Sequence, residues 1–470
     1  MRRKKHKFHL LKGATREVVP GDLNWKGRCV AELPEGPVWI SGAYSGHSCR
    51  VRFGRYSRDY IHARVEEHLT RPDHAREAPC SLFQNCGGCK LQHLPYESQL
   101  REKRDLFVRE LSDHPSVAER SEEIHIHPSP GEFSFRNKME FSFAKNHDGE
   151  MVLGLHEESS FSKVLNVSDC LIQSESMNDV LEAVRSWAQR HRVEPYDKKS
   201  HEGGLRHLVL RESRYQKKIQ VNLVAARKPA QLPDLIRDLD RIHQVDGVFF
   251  TTNSSLSDAV IFESLEHLSG SPVLLEKVGK YLFEIGPKSF FQTNSAGTEI
   301  LYATIRKFVK QGMALASMPA RPKLVDFYCG AGSIAIYLSD LFSKIVGVEE
   351  VGEAVLDARK NFSRNDIDPP VLISDRVEKL QAGEGSFKNT DVVVVDPPRS
   401  GCHPKARRFI TDLEAPVLVY VSCNPRNLLE NIRDFERADY KVENIEIIDM
   451  FPQTAHMEAV VLRIRRAPST

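Results

Sequence analysis

The amino-acid sequence predicts an α/β fold built on a doubly wound parallel sheet, with further domains ahead of that sheet in the chain. Short apolar strands alternate with helical stretches after residue 322, and turn-rich strands come first in the chain. The predicted strands of the parallel sheet cover residues 323–327, 344–348, 371–373, 391–395 and 417–421. A chain of 470 residues, at roughly 150 residues per domain, has room for about three domains.

The part of the chain before this sheet divides into two predicted domains. Residues 18–72 contain short runs, close turns and alternating polar and apolar residues, which predict a small β-barrel. Residues 73–290 are predicted to form a mixed α+β domain, and residues 291–470 the domain with the parallel sheet. The clearest elements of the middle domain are one helix and three strands, over 174–190, 138–144, 206–211 and 218–224.

Composition and charge exclude several classes of protein. The 66 basic and 64 acidic residues give a net charge of +2, which excludes a polyanion-binding field over the whole molecule. No apolar stretch approaches the roughly 18 residues of a membrane span, and the basic N-terminus lacks the apolar core of a signal peptide. We therefore expect a cytoplasmic protein without membrane association. Its nine cysteines then predict reduced thiols, a metal site or catalysis rather than disulfides.

Two local basic segments could nevertheless contact phosphate groups. Residues 1–12 contain six basic residues and no acidic residue. A second segment contains five arginines at short intervals, Arg50, Arg52, Arg55, Arg58 and Arg64. Either segment could bind nucleic acid, and either is equally compatible with a solvated tail or a solvated strand face.

A glycine-rich loop follows the first strand of the parallel sheet. Gly330 and Gly332 allow a tight turn and a close approach of the backbone to a ligand. Glu349 ends the next strand, where a carboxylate can reach the hydroxyl groups of a ribose. The pattern predicts a nucleoside cofactor, and by itself it leaves both S-adenosylmethionine (SAM) and NAD open.

Two later strands of the sheet end in residues that can carry out chemistry. Asp396 ends a buried strand, and two prolines stiffen the loop after it. Cys423 follows the next strand and precedes a predicted helix start at Asn424, so we expect the helix dipole to favour its thiolate. Glu458, at the beginning of the last apolar strand, is a candidate general base in the same pocket.

A cluster of cysteines predicts a metal site in the middle domain. Three cysteines lie within ten positions, and Gly87 and Gly88 allow the backbone there to wrap closely around a ligand. A fourth cysteine could come from a distant strand. Four thiolates fit an iron–sulfur cluster or a structural zinc ion, and the spacing leaves both open. The four candidate ligands are Cys80, Cys86, Cys89 and Cys170.

Taken together, these motifs resemble the RNA 5-methyluridine methyltransferases, over nearly the whole chain and in the family's order. The matching segments are 80–99, 290–294, 326–332, 396–401, 422–424 and 456–458. The resemblance implies a Rossmann-like class I methyltransferase domain and an N-terminal TRAM domain, an RNA-binding β-barrel of the oligonucleotide-binding (OB) type. It also implies that the four cysteines hold a [4Fe–4S] cluster. The segment around Trp25 departs from the glycine-rich start expected of a TRAM domain.

The resemblance also implies roles for individual residues. Cys423 matches the nucleophile that attacks C6 of uracil, and Glu458 matches the base that removes the C5 proton. The target uridine is expected to be flipped out of its stack. The residues that match the SAM-binding positions are Gln292, Tyr328, Glu349 and Asp396.

The resemblance favours large-subunit (23S) ribosomal RNA as substrate, and it keeps transfer RNA as an alternative. We expect no obligate protein partner. An iron–sulfur oxidoreductase that uses NAD or flavin would explain the glycine loop and the cysteines, but it would leave Asp396 and Cys423 without a role. A third possibility is an RNA-binding protein that keeps the fold without activity.

Overall fold

The computed structural model describes residues 8–158, 160, 162–257, 259–381 and 385–465, which form four β-sheets. Each of the three larger sheets has its own buried apolar side chains, and the sheet nearest the C-terminus is covered by two separate cores. Within these residues, no helix combines the length and the apolar character that crossing a membrane would require.

The first sheet lies in the region predicted as a β-barrel. Its strands are β1 (Thr15–Val18), β2 (Cys29–Leu33), β3 (Gly36–Ser41), β4 (Cys49–Tyr56) and β5 (Ile61–His68). The order is β1-β4-β5-β3-β2, so β1 and β2 form the two edges. Val38 and Ile40 are buried while Trp39 between them is only half-buried, which is the alternation that a sheet with one buried face requires. Its identification as a TRAM domain stays a prediction.

The middle of the chain forms a second, mixed sheet. The helices and strands of this part of the chain are α1 (Tyr96–Leu111), α2 (Pro115–Ala118), β6 (His125–His127), β7 (Lys138–Lys145), β8 (Met151–His156), β9 (Val164–Asn166), α3 (Glu175–Arg190), β10 (Leu205–Ser213), β11 (Lys218–Ala225), α4 (Leu232–Leu239), β12 (Val245–Thr252), β13 (Ser264–Gly270), β14 (Leu274–Val278) and β15 (Tyr281–Ile285). Seven strands pair in the order β13-β12-β11-β10-β7-β8-β9. The apolar faces of α3 and α4 share one core with this sheet. Helix α3 begins after Ser174, whose hydroxyl accepts a hydrogen bond from the N–H of Met177.

The C-terminal sheet has the parallel strands that the sequence predicts. Its elements are α5 (Ser295–Leu315), β16 (Lys323–Phe327), α6 (Ser333–Leu338), β17 (Lys344–Glu349), α7 (Gly352–Arg364), β18 (Val371–Ser374), β19 (Val392–Val395), α8 (Pro404–Asp412), β20 (Val417–Ser422), α9 (Pro425–Glu436), β21 (Tyr440–Ile448) and β22 (Glu458–Arg465). The order is β18-β17-β16-β19-β20-β22-β21-β6, and the first five strands are parallel.

Two features of this sheet go beyond the predicted parallel pattern. Strand β22 runs antiparallel to both of its neighbours, because the segment 449–457 is too short for the crossover that a parallel pair needs. Strand β6 comes from the predicted middle domain and forms the edge of the C-terminal sheet next to β21. The β14–β15 hairpin, also from the predicted middle domain, packs in the same core as α5. The predicted boundaries at residues 72 and 290 stay predictions of domain organisation.

Candidate active site

The candidate site lies at the carboxyl ends of the parallel strands. Phe327 at the end of β16 pairs with Val348 of β17 and with Val395 of β19. The next residue on each strand is therefore at the same edge of the sheet, which brings together Tyr328, Glu349 and Asp396. Ligands of open α/β sheets bind at this edge.

The glycine loop leaves open space beside Glu349. The N–H of Gly330 donates to one carboxylate oxygen of Glu349 (3.0 Å), and the N–H of Val351 donates to the other (2.9 Å). Gly330 and Gly332 have φ of +54° and +78°, a region that favours glycine. A Cβ added to Gly330 would meet no atom within 4 Å, whereas one added to Gly332 would press on Phe362 at 3.0 Å. The loop therefore leaves open space next to Gly330, which we call the cradle.

Three acidic side chains next to this cradle, Asp326, Asp396 and Glu458, lie close enough to influence one another's ionisation. Asp326 is 0% exposed, and neither of its carboxylate oxygens has a hydrogen-bond partner. Burial, and then the charge of Asp396, place the pKa of Asp326 well above its usual range, while burial raises the pKa of Asp396 to about 7. Burial and Asp396 also raise the pKa of Glu458. A cationic ligand would relieve this repulsion, and SAM carries positive charge on its sulfonium and ammonium groups.

Asp326 is a candidate cofactor residue that the sequence prediction did not include. A signal for it exists, because an aspartate between apolar residues of a buried strand, shortly before a glycine loop, is unusual for a purely structural position. The absence of hydrogen-bond partners, which marks the residue in the structure, could not be read from the sequence.

Strand pairing brings the predicted nucleophile and the predicted base together. Ser422 pairs with Ala459 in the antiparallel ladder between β20 and β22, so that Cys423 and Glu458, one step further, lie opposite each other. Cys423 is half-buried and Glu458 is 4% exposed. As predicted, Asn424 is the N-cap of α9, and its side chain accepts a hydrogen bond from the N–H of Arg426.

The charge environment of Cys423 differs from the expected one. Burial raises the pKa of Cys423 to about 12, and the carboxylates of Glu458 and Asp396 contribute to the increase. Arg399 acts in the opposite direction on both Cys423 and Glu458. The predicted effect of the helix start on the thiolate is therefore opposed by burial and by two acidic neighbours.

Arg399 is held in place by the residues that follow Cys423. Its carbonyl oxygen accepts hydrogen bonds from the side-chain amides of Asn427 (2.8 Å) and Asn424 (3.3 Å). This joins the loop after Asp396 to the start of α9. The charge of Arg399 lowers the pKa of both Cys423 and Glu458, so its guanidinium can offset negative charge there.

Tyr328 lies at the start of the glycine loop, and Gln292 lies in the loop before α5. Gln292 is buried two positions before the N-cap of α5, and its carbonyl oxygen accepts a hydrogen bond from the side-chain amide of Asn137 (2.9 Å). Tyr328 has a φ of +63°, and its hydroxyl lies 3.5 Å from the sulfur of Cys402. Both residues are thus positioned by contacts that do not involve a ligand.

The four predicted metal-binding cysteines line one small apolar pocket in the middle of the chain. Leu82, Phe83, Val167 and Ile172 complete much of its wall. Cys170 lies on the loop between β9 and α3, not on a strand as expected. Burial raises the pKa of Cys89 to about 11 and that of Cys170 to about 12. Among the described residues, no three His, Cys, Asp or Glu side chains form a group that could hold one metal ion.

Comparison with known proteins relates the whole chain to one family. The family model for tRNA (uracil-5-)-methyltransferases matches residues 280–466. An uncharacterized RNA methyltransferase of Caldanaerobacter subterraneus is 36% identical over 457 residues, which cover 96% of this chain and 99% of the relative. Another uncharacterized RNA methyltransferase, from Clostridium acetobutylicum, is 31% identical over 460 residues, or 97% of this chain and 98% of that relative.

A solved structure shows a similar fold. The tRNA (uracil-54, C5)-methyltransferase of Pyrococcus abyssi, in complex with S-adenosyl-L-homocysteine, is 24% identical and has a TM-score of 0.75. The match covers 96% of this chain and 100% of that chain. The predicted class I methyltransferase fold of the C-terminal sheet is therefore confirmed. The chain belongs to the family of SAM-dependent RNA uracil-C5 methyltransferases, and not to the NAD-dependent enzymes that its glycine loop also allowed.

Proposed function

We propose that this protein forms 5-methyluridine in RNA, with Cys423 as the nucleophile and Glu458 as the base. The observation that carries the proposal is the pairing of Ser422 with Ala459, because it sets Cys423 opposite Glu458 at the ligand-binding edge of the sheet. The family supports RNA as the substrate.

The cofactor pocket fits SAM on two observations. The buried carboxylate of Asp326 lacks a partner, and the cradle at Gly330 is open. When bound, SAM would supply an electrophilic methyl group. The residues that would hold SAM are Gln292, Tyr328, Glu349, Asp396 and, in addition, Asp326.

In the proposed reaction, the chain's own groups activate and then release the uracil ring. Cys423 gives up its proton to solvent and its sulfur forms a bond to C6, which builds enolate character at C5. After C5 has gained the methyl group, the carboxylate of Glu458 accepts the C5 proton. The electron pair of the C5–H bond restores the ring double bond and expels Cys423 as a thiolate. Arg399 supports both steps, because its charge favours the ionised forms of Cys423 and Glu458.

We further propose that the four cysteines hold a [4Fe–4S] cluster. All four thiols face one apolar pocket, which supports a shared ligand. A single zinc ion would require all four sulfurs within about 2.3 Å of one point, whereas a cluster spaces its ligands more widely. The reaction transfers no electrons, so the cysteines would bind the cluster in a structural role.

Residues 18–72 are proposed to form a TRAM-like domain that contacts RNA. Trp39 and Tyr60 stack with ring centroids 3.5 Å apart on its half-buried outer side, and His62 meets Tyr60 edge-on. Aromatic side chains beside arginines are typical of surfaces that bind single-stranded nucleic acid. We propose large-subunit ribosomal RNA as the substrate, from the sequence resemblance. Transfer RNA is the second candidate, because the structural relative with the same overall fold is a tRNA enzyme.

The test is an anaerobic assay with SAM and RNA that carries tritium at C5 of uridine, on unmodified ribosomal and transfer RNA separately. Tritium release that matches 5-methyluridine formation supports the chemistry, and the RNA that reacts identifies the substrate class. Release from neither RNA, in protein that binds SAM and contains iron, contradicts the proposal. Iron and sulfide analysis of the same sample tests the cluster, for which about four of each per chain are expected.

A further inference from the structure

The loop that leads to Glu458 is held at one residue, Gln453. This loop covers residues 449–457, between β21 and β22, and Glu458 is the first residue after it. Gln453 is 0% exposed and has a φ of +66°, an unusual backbone conformation for a residue other than glycine. A buried side chain at a strained position suggests that surrounding contacts determine where it lies.

The cysteine-bearing segment supplies one set of these contacts. The backbone N–H groups of Lys90 and Leu91 both donate to the carbonyl oxygen of Gln453, at 2.7 and 3.0 Å. Lys90 directly follows Cys89, a proposed ligand of the cluster. Two hydrogen bonds therefore join the chain at the metal site to the loop that precedes the catalytic base.

Helix α1 supplies the second set. The side-chain amide of Gln99 donates to Oε1 of Gln453 (2.9 Å), and the backbone N–H of Gln453 donates to Oε1 of Gln99 (3.0 Å). The amide nitrogen of Gln453 also donates to the carboxylate of Glu132 (3.1 Å). Both backbone groups and both side-chain polar atoms of Gln453 are thus bonded inside the protein, where an unmade hydrogen bond is costly.

A side-chain route leads from Glu132 back to the cysteines. Glu132 forms an ion pair with Arg76 (3.0 Å), whose Nε donates to the carbonyl oxygen of Gln92 (2.9 Å). The side-chain oxygen of Gln92 accepts from the N–H of Cys80 (3.1 Å). Gln453 is therefore connected to two of the four cysteines by separate paths.

The start of the same loop is anchored by a buried ion pair. Lys103 of α1 donates to the carboxylate of Asp449 (2.6 Å) and to the carbonyl oxygen of Phe451 (3.0 Å). Tyr96 donates to the other oxygen of Asp449 (3.0 Å). The first half of the loop is thus bound to α1, and Gln453 contacts both α1 and the cysteine segment.

We infer that Gln453 is a positioning residue, through which the cysteine segment sets the position of Glu458. The inference rests on the proposed function, and it assigns the metal site to one step of the reaction. Glu458 acts only when the C5 proton leaves, after Cys423 has attached to the RNA. Displacement of Gln453 should therefore slow proton removal and leave adduct formation intact.

The variant Gln453→Gly tests the positioning role of Gln453. Glycine keeps the positive φ and the carbonyl bonds to Lys90 and Leu91, but it lacks the side-chain hydrogen bonds to Gln99 and Glu132. The turnover rate for 5-methyluridine formation should fall about tenfold, with little change in the KM for RNA. A covalent protein–RNA adduct should accumulate on a denaturing gel. RNA with deuterium at C5 should react more slowly than protiated RNA, by a larger factor than with the wild type.

Lys217→Gly is the matched control, because it makes the same backbone change at a φ of +55° in the turn between β10 and β11. It should leave the isotope effect at the wild-type value. Gln99→Leu, which removes the same pair of hydrogen bonds from the other side, serves if Gln453→Gly fails to fold. Reduced turnover with an unchanged isotope effect and no adduct, in a folded variant, would overturn the inference.

A second measurement tests the connection to the cysteines without reference to activity. In Cys89→Ser, prepared anaerobically, backbone amides of residues 449–458 should exchange with deuterated water faster than in the wild type. Amides of β10 and β11 should exchange as before. Unchanged exchange over 449–458 would overturn the connection. Wild-type tritium release decides the proposed function separately, so the two failures can be told apart.

Discussion

At the scale of single residues, the candidate site is defined by charges that burial makes unfavourable. Burial raises the pKa values of Asp326, Asp396 and Glu458, and the charge of Asp396 raises those of the other two further. Such repulsion is unusual in a purely structural site, and neither carboxylate oxygen of Asp326 has a hydrogen-bond partner. A cationic cofactor resolves the conflict, and Arg399 offsets part of it at the nucleophile.

Removal of the thiol of Cys423 should abolish methyl transfer without affecting the cofactor. Cys423→Ala is expected to form no detectable 5-methyluridine and to bind SAM within about twofold of the wild type, because the thiol takes part only in the reaction with RNA. Isothermal calorimetry and the tritium assay measure the two properties. Cys49→Ala, at a buried cysteine of the first sheet, is the control and should stay active. Normal methyl transfer by Cys423→Ala would exclude the proposed mechanism.

Replacement of Glu458 should stop the reaction one step later. Glu458→Gln is expected to accumulate a covalent adduct with RNA, because attack by Cys423 and methylation do not need the carboxylate but elimination does. The adduct is detected as a band of lower mobility on a denaturing gel. A variant that releases its RNA and keeps full activity would remove Glu458 from the mechanism.

The buried carboxylate of Asp326 should limit the stability of the protein without its cofactor. Its folded-state pKa is above the unfolded value, so its contribution to stability is present at low pH and is lost as the pH rises. Asp326→Asn should therefore raise the free energy of unfolding by about 1–3 kcal/mol at pH 8, and by less at pH 5. The same change should weaken SAM binding. Urea unfolding at the two pH values measures the effect, and lower stability at pH 8 would contradict it.

At the scale of elements, strand register explains why residues far apart in sequence meet. The pairs of Phe327 with Val348 and with Val395 align the ends of the parallel strands β16, β17 and β19. The antiparallel pair of Ser422 with Ala459 aligns the end of β20 with the start of β22. A slip of one residue in any pair would turn the side chains to the other face of the sheet. The registers therefore decide which side chains meet at this edge of the sheet.

The glycine loop provides a test at this scale. Gly330→Ala and Gly149→Ala both place a Cβ at positive φ (+54° and +81°) without a clash, so each should lower the stability by about 1–2 kcal/mol. Only Gly330→Ala should weaken SAM binding, because its Cβ would enter the space that we assign to the cofactor. Equal SAM affinity of the two variants, measured by calorimetry, would show that the cofactor does not bind there.

At the scale of the whole molecule, the near-neutral net charge hides local differences on the first sheet. Arg50 is paired with Glu17 and Glu67, so its charge is already compensated. Arg55 and Arg58 form no ion pair within the described part of the chain. The basic segment seen in the sequence is therefore partly neutralised, and only some of its arginines are free for phosphate.

The free arginines should contribute to RNA binding in a salt-dependent way. Arg55→Gln and Arg58→Gln together should weaken RNA binding and reduce the slope of log affinity against log salt by about 1.4, because each phosphate that an arginine neutralises adds about 0.7 to the slope. Arg50→Gln, which removes a paired arginine, should leave the slope nearly unchanged. Filter binding at several salt concentrations measures the slope. Equal slopes for the wild type and both variants would exclude this face of the sheet from RNA contact.

Much of this protein is determined by local sequence patterns. Apolar runs between helical stretches predict the parallel strands of the C-terminal sheet, because strand and helix periods differ and each run is short. The strand β16 and the N-cap of α9 at Asn424 are where the sequence predicts them. The same patterns place Asp396 and Cys423 at strand ends, which is enough to predict a site at the carboxyl edge of the sheet.

Only the tertiary structure decides properties that depend on distant neighbours. The pKa of Cys423 is set by burial and by Glu458, whose position depends on strand pairing rather than on chain proximity. The lack of partners at Asp326 and the contacts of Gln453 with the cysteine segment involve residues up to several hundred positions apart. Sequence alone therefore determined the parallel strands of the C-terminal sheet, the ends of those strands and the family. The environment of each group in the site followed from packing, because desolvation and charge interactions act through space and not along the chain.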